Sequence, residues 1–317
     1  MKVLVTGGAG FIGFHVAKAL LERGDEIVIV DNFNKYYDAK LKYDRIKQLR
    51  KYKGLKVYKV DIAHYKKLEK IFKKNKFNKI CHLAAQAGVR YSLKNPFIYE
   101  KSNNVGTLNL LELARKFKIK DFVFASSSSV YGGNKKIPFS EGDNVDNPVS
   151  FYAATKKSNE LYTHIYHNLY GLNCTCLRFF TVYGPWGRPD MALFKFVKNI
   201  IEGGTIDVYN HGKMKRDFTY VGDIVKGVLS AINKPMGYEI INLGNNHPIE
   251  LTKFISTIEN VMGKKVKKRM LPMQSGDVPI TYANINKAKK LLNYNPTINI
   301  EEGVKNFVEW YRGYYKL

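Results

Sequence analysis

The hydrophobic pattern changes period along the chain, and the changes mark its elements. Apolar runs of strand length occur at residues 2 to 6 (KVLVT), 26 to 31 (EIVIVD), 55 to 60 (LKVYKV), 79 to 84 (KICHLA), 121 to 126 (DFVFAS) and 174 to 180 (CTCLRFF). Helical spacing fills the gaps: 11 to 23, closed by Gly24; a basic stretch after residue 31; then segments near 64 to 75, 101 to 117 and 151 to 170. Near-continuous apolar strands alternating with helices predict an α/β fold, a Rossmann-type doubly wound parallel sheet covered on both faces. Beyond residue 180 the regularity fades, Gly and Pro rise (YGPWGRPD), and elements read as shorter and mixed. This predicts a first domain over 1–180 and a smaller mixed α/β C-terminal substrate domain over 181–317. The apolar helix GDIVKGVLSAI implies a return to the first domain at about 215–235.

Composition narrows the class. The chain has 317 residues, 45% of them hydrophobic, which is enough for a filled interior and argues against disorder. No run reaches the ~18 apolar residues of a membrane span, and the opening MKVLVTGGAG is too short and too glycine-rich for a signal peptide. Cys81, Cys174 and Cys176 sit in strand-like apolar contexts without metal-ligand spacing, so buried free thiols and a cytoplasmic location are expected. The seven histidines are scattered, and no metal is expected.

Net charge is +25, and residues 35 to 79 hold 17 Lys/Arg against 4 Asp/Glu, about half the surplus. Lysine dominates and no nucleic-acid-binding motif accompanies it, so the run reads as solvated helix faces, with a positive field that attracts anionic substrates. Neither a nucleic-acid nor a membrane partner is expected; strong, salt-dependent retention on DNA would reverse the first expectation.

Two motifs carry chemistry. In VTGGAGFIG, Gly7, Gly10 and Gly13 fall between the first strand and first helix, where glycines let backbone approach a pyrophosphate at a helix N-terminus. Phe11 and Ile12 belong to the same turn. Asp31 ends the second strand, 18 residues after Gly13, with Asn32 beside it. A carboxylate there accepts from ribose hydroxyls and repels a 2′-phosphate, which favours NAD over NADP. Asp61 and Ile62 after the third strand, and Leu83, Ala84 and Ala85 after the fourth, complete the expected cofactor wall. The second motif is YAATK: Tyr152 and Lys156 lie four apart on one helix face. A neighbouring ammonium favours the phenolate, so Tyr152 is a candidate base near neutral pH. Ser127, at the C-terminal end of a strand, can both donate to and accept from a substrate alcohol.

Taken together, these motifs resemble the extended short-chain dehydrogenase/reductase superfamily in its nucleotide-sugar branch, NAD-dependent epimerases and dehydratases. The likeness is closest to the UDP-glucuronate 4-epimerases. It spans nearly the whole chain, through HLAAQAGVRYS, SNNVGTLNLLE, PVSFYAATKKSNEL, LRFFTVYGPWGRPDMALFKF, IDVYNHGKMKRDFTYV and QSGDV. What the resemblance implies is C4 epimerisation of UDP-glucuronate through a transient 4-keto sugar. Dehydratases of this superfamily carry an Asp-Glu pair, and decarboxylases a Glu, just before the Val-Tyr-Gly where this chain has Ser128 and Ser129. Such a site can oxidise and re-reduce the sugar but lacks an acid to divert it. The resemblance also implies Arg216 on the diphosphate, Arg188 and Thr181 on the sugar carboxylate, with Arg90 assisting. It places Asn103 and Phe179 near the cofactor or sugar, and Gln274 and Asp277 at the uridine ribose. A homodimer through the helices near 101 to 117 and 151 to 170 follows likewise. Galactose epimerases carry Asn at the place of Thr181, yet a neutral or N-acetylated UDP-hexose remains the rival substrate. A non-catalytic dinucleotide-binding protein is the rival class; the presence of both Tyr152 and Lys156 speaks against it.

Overall fold

The computed structural model describes residues 1–274 and 277–317. The first half runs β1 (Lys2–Thr6), α1 (Phe11–Glu22), β2 (Glu26–Asp31), α2 (Lys40–Leu49), β3 (Leu55–Lys59), α3 (Tyr65–Lys74), β4 (Lys79–His82), α4 (Val89–Lys94) and α5 (Pro96–Tyr99). A π-helical turn (Glu100–Val105) leads into α6 (Gly106–Lys116), β5 (Asp121–Ser127), a short 3₁₀ turn (Ser128–Tyr131), α7 (Phe151–Tyr170) and β6 (Asn173–Phe179). The second half contains β7 (Thr181–Tyr183), α8 (Ala192–Glu202), β8 (Thr205–Tyr209), β9 (Lys215–Tyr220), α9 (Val221–Asn233), β10 (Tyr238–Leu243), β11 (Pro248–Glu250), α10 (Leu251–Met262), β12 (Lys267–Leu271), α11 (Asn286–Leu292) and α12 (Ile300–Tyr315).

Seven parallel strands form the central sheet in the order β10-β6-β5-β4-β1-β2-β3. Strand residues alternate between its faces. Val3, Val5, Ile27 and Ile29 pack with α1 and α9, whereas Leu4, Val28, Val30 and Ile80 pack with α3, α6 and α7. That double burial is why the strands read as continuous apolar runs. Strand order reverses at β1, which has β2 on one side and β4 on the other, so a crevice opens at the carboxyl ends of β1 and β4. On the edge strand β3, Lys56 and Lys59 are exposed, a device that discourages strand addition.

The second half differs from the sequence reading in two respects. Tyr238–Leu243 joins the central sheet beside β6, a strand the reading did not anticipate. Its segment, YEIINL, is only half covered at its first three residues, so its hydrophobic signal is diluted. The helices there are also long, up to the 16 residues of α12, whose buried Ile300, Val304, Phe307, Val308 and Tyr311 follow helical spacing. They pack with α8 and α10 around Phe194, Val197 and Phe254. Small sheets, β11-β9-β7 and β12-β8, face the crevice from this side.

Candidate active site

A cavity of about 850 Å³ runs along the crevice between the central sheet and the small sheets. At its inner end the chain leaves β1 through Gly7 at φ +71°, and α1 starts directly after Gly10. A Cβ at Gly13 would fall 2.2 Å from the Gly7 carbonyl oxygen, so only glycine lets the helix press against the turn. Asp31 lines the same end and is buried. Its two carboxylate oxygens accept from the backbone N–H groups of Ala9 and Phe33, at 3.1 and 2.8 Å. Burial raises its pKa, and the Phe33 N–H and Lys42 are the leading groups that oppose the rise. Asn32 donates to Asp61 at 3.2 Å, tying the ends of β2 and β3. Phe11, Ile12, Ile62, Leu83, Ala84 and Ala85 complete this end of the lining. A glycine turn at a helix N-terminus with a carboxylate at the next strand end is a donor and acceptor set that fits a dinucleotide.

Helix α7 forms the opposite wall. Ser150 caps it, its Oγ accepting from the Ala153 N–H at 3.1 Å, and this fixes the first turn, where Tyr152 sits. Tyr152 and Lys156 both line the cavity with Ser127, Ser128 and Ser129. Lys156 is buried, and its Nζ donates to the Ala125 carbonyl at 2.7 Å. Ser127 Oγ accepts from the Ser129 N–H at 3.1 Å, which shapes the 3₁₀ turn that ends β5.

Burial pushes the Tyr152 hydroxyl up, opposed by the Ser127 hydroxyl and the Arg188 charge. Lys156 Nζ lies 5.9 Å from the Tyr152 ring centre. Burial also pushes the Lys156 ammonium down to about 7, with Glu160 the main group opposing it.

Phe179, Thr181, Arg188, Arg216, Arg90 and Asp277 also line the cavity. Arg188 is paired with Asp190, Nε to Oδ1 at 3.0 Å with a second contact from Nη2, and Tyr36 donates to the same carboxylate at 3.2 Å. Arg90 and Asp277, expected to serve the ligand separately, meet each other at 2.9 Å, with the Arg90 guanidinium 4.7 Å over the Tyr209 ring. Two expected residues stand outside the lining. Asn103 is buried in the π-helical turn; it accepts from the Gln86 N–H and donates to the Gln86 carbonyl and Thr155, so it fixes the loop after β4 instead of touching the cavity. Gln274 lies behind Asp277, whose N–H its carbonyl accepts at 3.2 Å; residues 275–276 of that segment lie outside the described residues.

The basic run 35 to 79 is not wholly a surface. Lys42 and Arg45 are buried at 5% and 0% exposure. Lys42 lines the cavity near Asp31 and donates to Asn34, and Arg45 sits beneath the glycine turn. Neither is distinguishable by sequence from the fifteen cations around it, although their three-residue spacing beside Leu41, Ile46 and Leu49 marks the inner face of α2. Among the described residues, no cluster of three or more His, Cys, Asp or Glu could hold a metal ion, and no helix is long and apolar enough to cross a membrane.

A sheet with a glycine turn at its reversal point and Tyr-x-x-x-Lys on the facing wall is the build of a short-chain dehydrogenase/reductase. The family model described as GDP-mannose 4,6 dehydratase matches residues 4–307. The chain is 54% identical to an uncharacterized protein of Methanocaldococcus jannaschii over 98% of its own length and 96% of that protein's. It is 49% identical to the UDP-glucuronate 4-epimerase of Thermodesulfobacterium geofontis, over 97% of this chain and 95% of the relative. Among solved structures, the UDP-glucuronic acid 4-epimerase of Bacillus cereus in complex with UDP-glucuronic acid and NAD aligns with a TM-score of 0.93 and 34% identity, covering 99% of this chain and all of that one. The chain belongs to the epimerase/dehydratase family of nucleotide-sugar enzymes.

Proposed function

We propose that the protein is an NAD-dependent 4-epimerase that interconverts UDP-glucuronate and UDP-galacturonate. The observation that carries this reading is that Ser127, Tyr152 and Lys156 share one cavity with the glycine turn and Asp31, while the turn that follows Ser127 carries serines and no carboxyl group. NAD, held by the glycine turn and Asp31, would supply a reversible hydride acceptor for C4, so the net reaction would be redox-neutral. Tyr152 receives the C4 hydroxyl proton, Ser127 holds the reacting oxygen, and Lys156 supplies positive charge beside the phenolate. The 4-keto sugar turns over about its diphosphate linkage, gripped by Arg216, and presents its other face. Ser128, Ser129, Thr181 and Arg188 hold the carboxylate and hydroxyls. In this reading residues 1–180, with the return at about 215–235, hold the cofactor, and 181–317 hold the nucleotide sugar.

Purified protein incubated with UDP-glucuronate and no added cofactor should yield the C4 epimer by NMR. Carbon dioxide, a deoxy product or no inverted product would sink the proposal. One observation favours a second reading: the Asp190 carboxylate already neutralises Arg188, as would suit a neutral or N-acetylated UDP-hexose.

The same reading includes a cytoplasmic homodimer. Val105, Leu108, Leu161, Ile165 and Leu169 are each at least 40% exposed along the π-helical turn, α6 and α7, an apolar face that a second copy would cover. Sedimentation at micromolar concentration tests it.

A further inference from the structure

One turn beyond Lys156 on α7 lies Glu160, whose side chain the reaction does not touch. It is paired with Arg178 of β6 through two hydrogen bonds, Nε to Oε1 at 2.9 Å and Nη2 to Oε2 at 2.8 Å, with side chains only 2% and 1% exposed. Oε1 also accepts from Ser126 Oγ at 2.6 Å, one residue before Ser127. The remaining groups around Lys156 are neutral. Burial raises the Cys176 thiol of β6 and lowers the His82 imidazole of β4. Burial likewise raises Tyr152 on α7 and Tyr238 of β10, whose hydroxyl donates to the Glu160 carbonyl. From β5 come only the Phe124 ring and the Ala125 carbonyl. The pocket thus holds two cations and one anion, screened from solvent. Arginine keeps its proton at any working pH, so the excess positive charge can be relieved only at Lys156.

We propose that Glu160 is a positioning residue that, shared with Arg178, sets the pH at which Lys156 loses its proton and so sets the alkaline limit of epimerisation, a proposal that rests on the catalytic reading of Lys156. The carboxylate sustains the ammonium, and Arg178 draws part of that field away. Ser126 links the same carboxylate to the strand end that aims Ser127.

The two partners therefore act in opposite directions. The test is kcat/KM for UDP-glucuronate between about pH 6 and 10 for the wild type, Glu160→Gln, Arg178→Met and the double variant Glu160→Met/Arg178→Met. Glu160→Gln should move the alkaline midpoint down by about one unit, a tenfold loss of proton affinity. Arg178→Met should move it up, and the double variant, which removes one anion and one cation, should lie between the two single variants. The double variant replaces a buried ion pair by apolar side chains, a change such pairs commonly tolerate, and carries the test if a single variant fails to fold. Single-variant midpoints that coincide with the wild type, or that shift the same way in both single variants, would overturn the proposal. The pH dependence of the unfolding free energy should show the same opposed shifts without any turnover. If the protein has no epimerase activity, the catalytic reading fails and the role of Glu160 is still decided by that second measurement.

Discussion

Arg45 donates from one guanidinium nitrogen to the Trp186 carbonyl at 2.6 Å, across 141 positions of sequence. Its other terminal nitrogen donates to the Ala9 carbonyl at 2.9 Å and to the Tyr37 hydroxyl at 2.8 Å. One fully buried cation therefore anchors both the glycine turn and the loop that presents Arg188, two segments that line the same cavity. Only a planar fork with several donors reaches these acceptors together.

Arg45→Met should therefore disturb both segments. The methionine fills much of the space but leaves the Ala9 and Trp186 carbonyls without their donor. Each buried orphan costs about 1–3 kcal/mol, so a loss of roughly 3 kcal/mol in urea denaturation is expected. NAD recovered per chain after heat release should fall as well. Unchanged stability and full NAD content would show that the anchor is dispensable.

Tyr152→Phe keeps the ring and its edge contact with Tyr99, whose centre lies 6.2 Å away, and removes only the hydroxyl. Turnover should drop on the order of 10²-fold or more, while affinity for UDP-glucuronate by calorimetry stays near the wild-type value. Near-normal turnover would remove Tyr152 from its role as base.

The first half of the fold was legible because its strands are buried on both faces and its helices punctuate them regularly; the glycine turn and Tyr-x-x-x-Lys carry their chemistry in local spacing. Tyr238–Leu243 was not legible because an edge strand covered on part of its length has a weak apolar signal. The partners of Arg188 and Arg90 depend on where loops distant in sequence meet. Asp190 is close enough in sequence to have been weighed, but Asp277 is 187 positions from Arg90. The upward shift of the Tyr152 hydroxyl is a burial effect, and burial at a cavity wall is a tertiary property that residue spacing does not report.

Lys156 makes stability depend on pH. Its folded pKa is about 7, and its unfolded value is near 10.4. Below pH 7 both states hold the proton and the burial penalty is fully present. Between these values only the unfolded chain holds it, so stability rises with pH across that window. Lys156→Met lacks this dependence. The wild type should therefore gain on the variant between about pH 6.5 and 10, by up to roughly 5 kcal/mol in denaturant titrations. A constant difference between the two proteins would show that Lys156 does not titrate in the window.

The Arg188–Asp190 pair separates the two substrate readings. If Arg188 holds the sugar carboxylate as proposed, a uronate must compete with Asp190 for the guanidinium, whereas a neutral sugar has no such contest. Arg188→Ala should therefore raise KM for UDP-glucuronate by about tenfold or more and change UDP-glucose kinetics far less, since a charge-assisted contact is lost only with the acid. Removing arginine also leaves Asp190 uncompensated and repulsive toward an anion, so Asp190→Asn is the informative companion. With the competing carboxylate gone and Arg188 retained, KM for UDP-glucuronate should fall severalfold. If instead Asp190→Asn weakens the acid and Arg188→Ala harms both sugars equally, the pair is a scaffold for the loop, and the neutral UDP-hexose becomes the better substrate assignment.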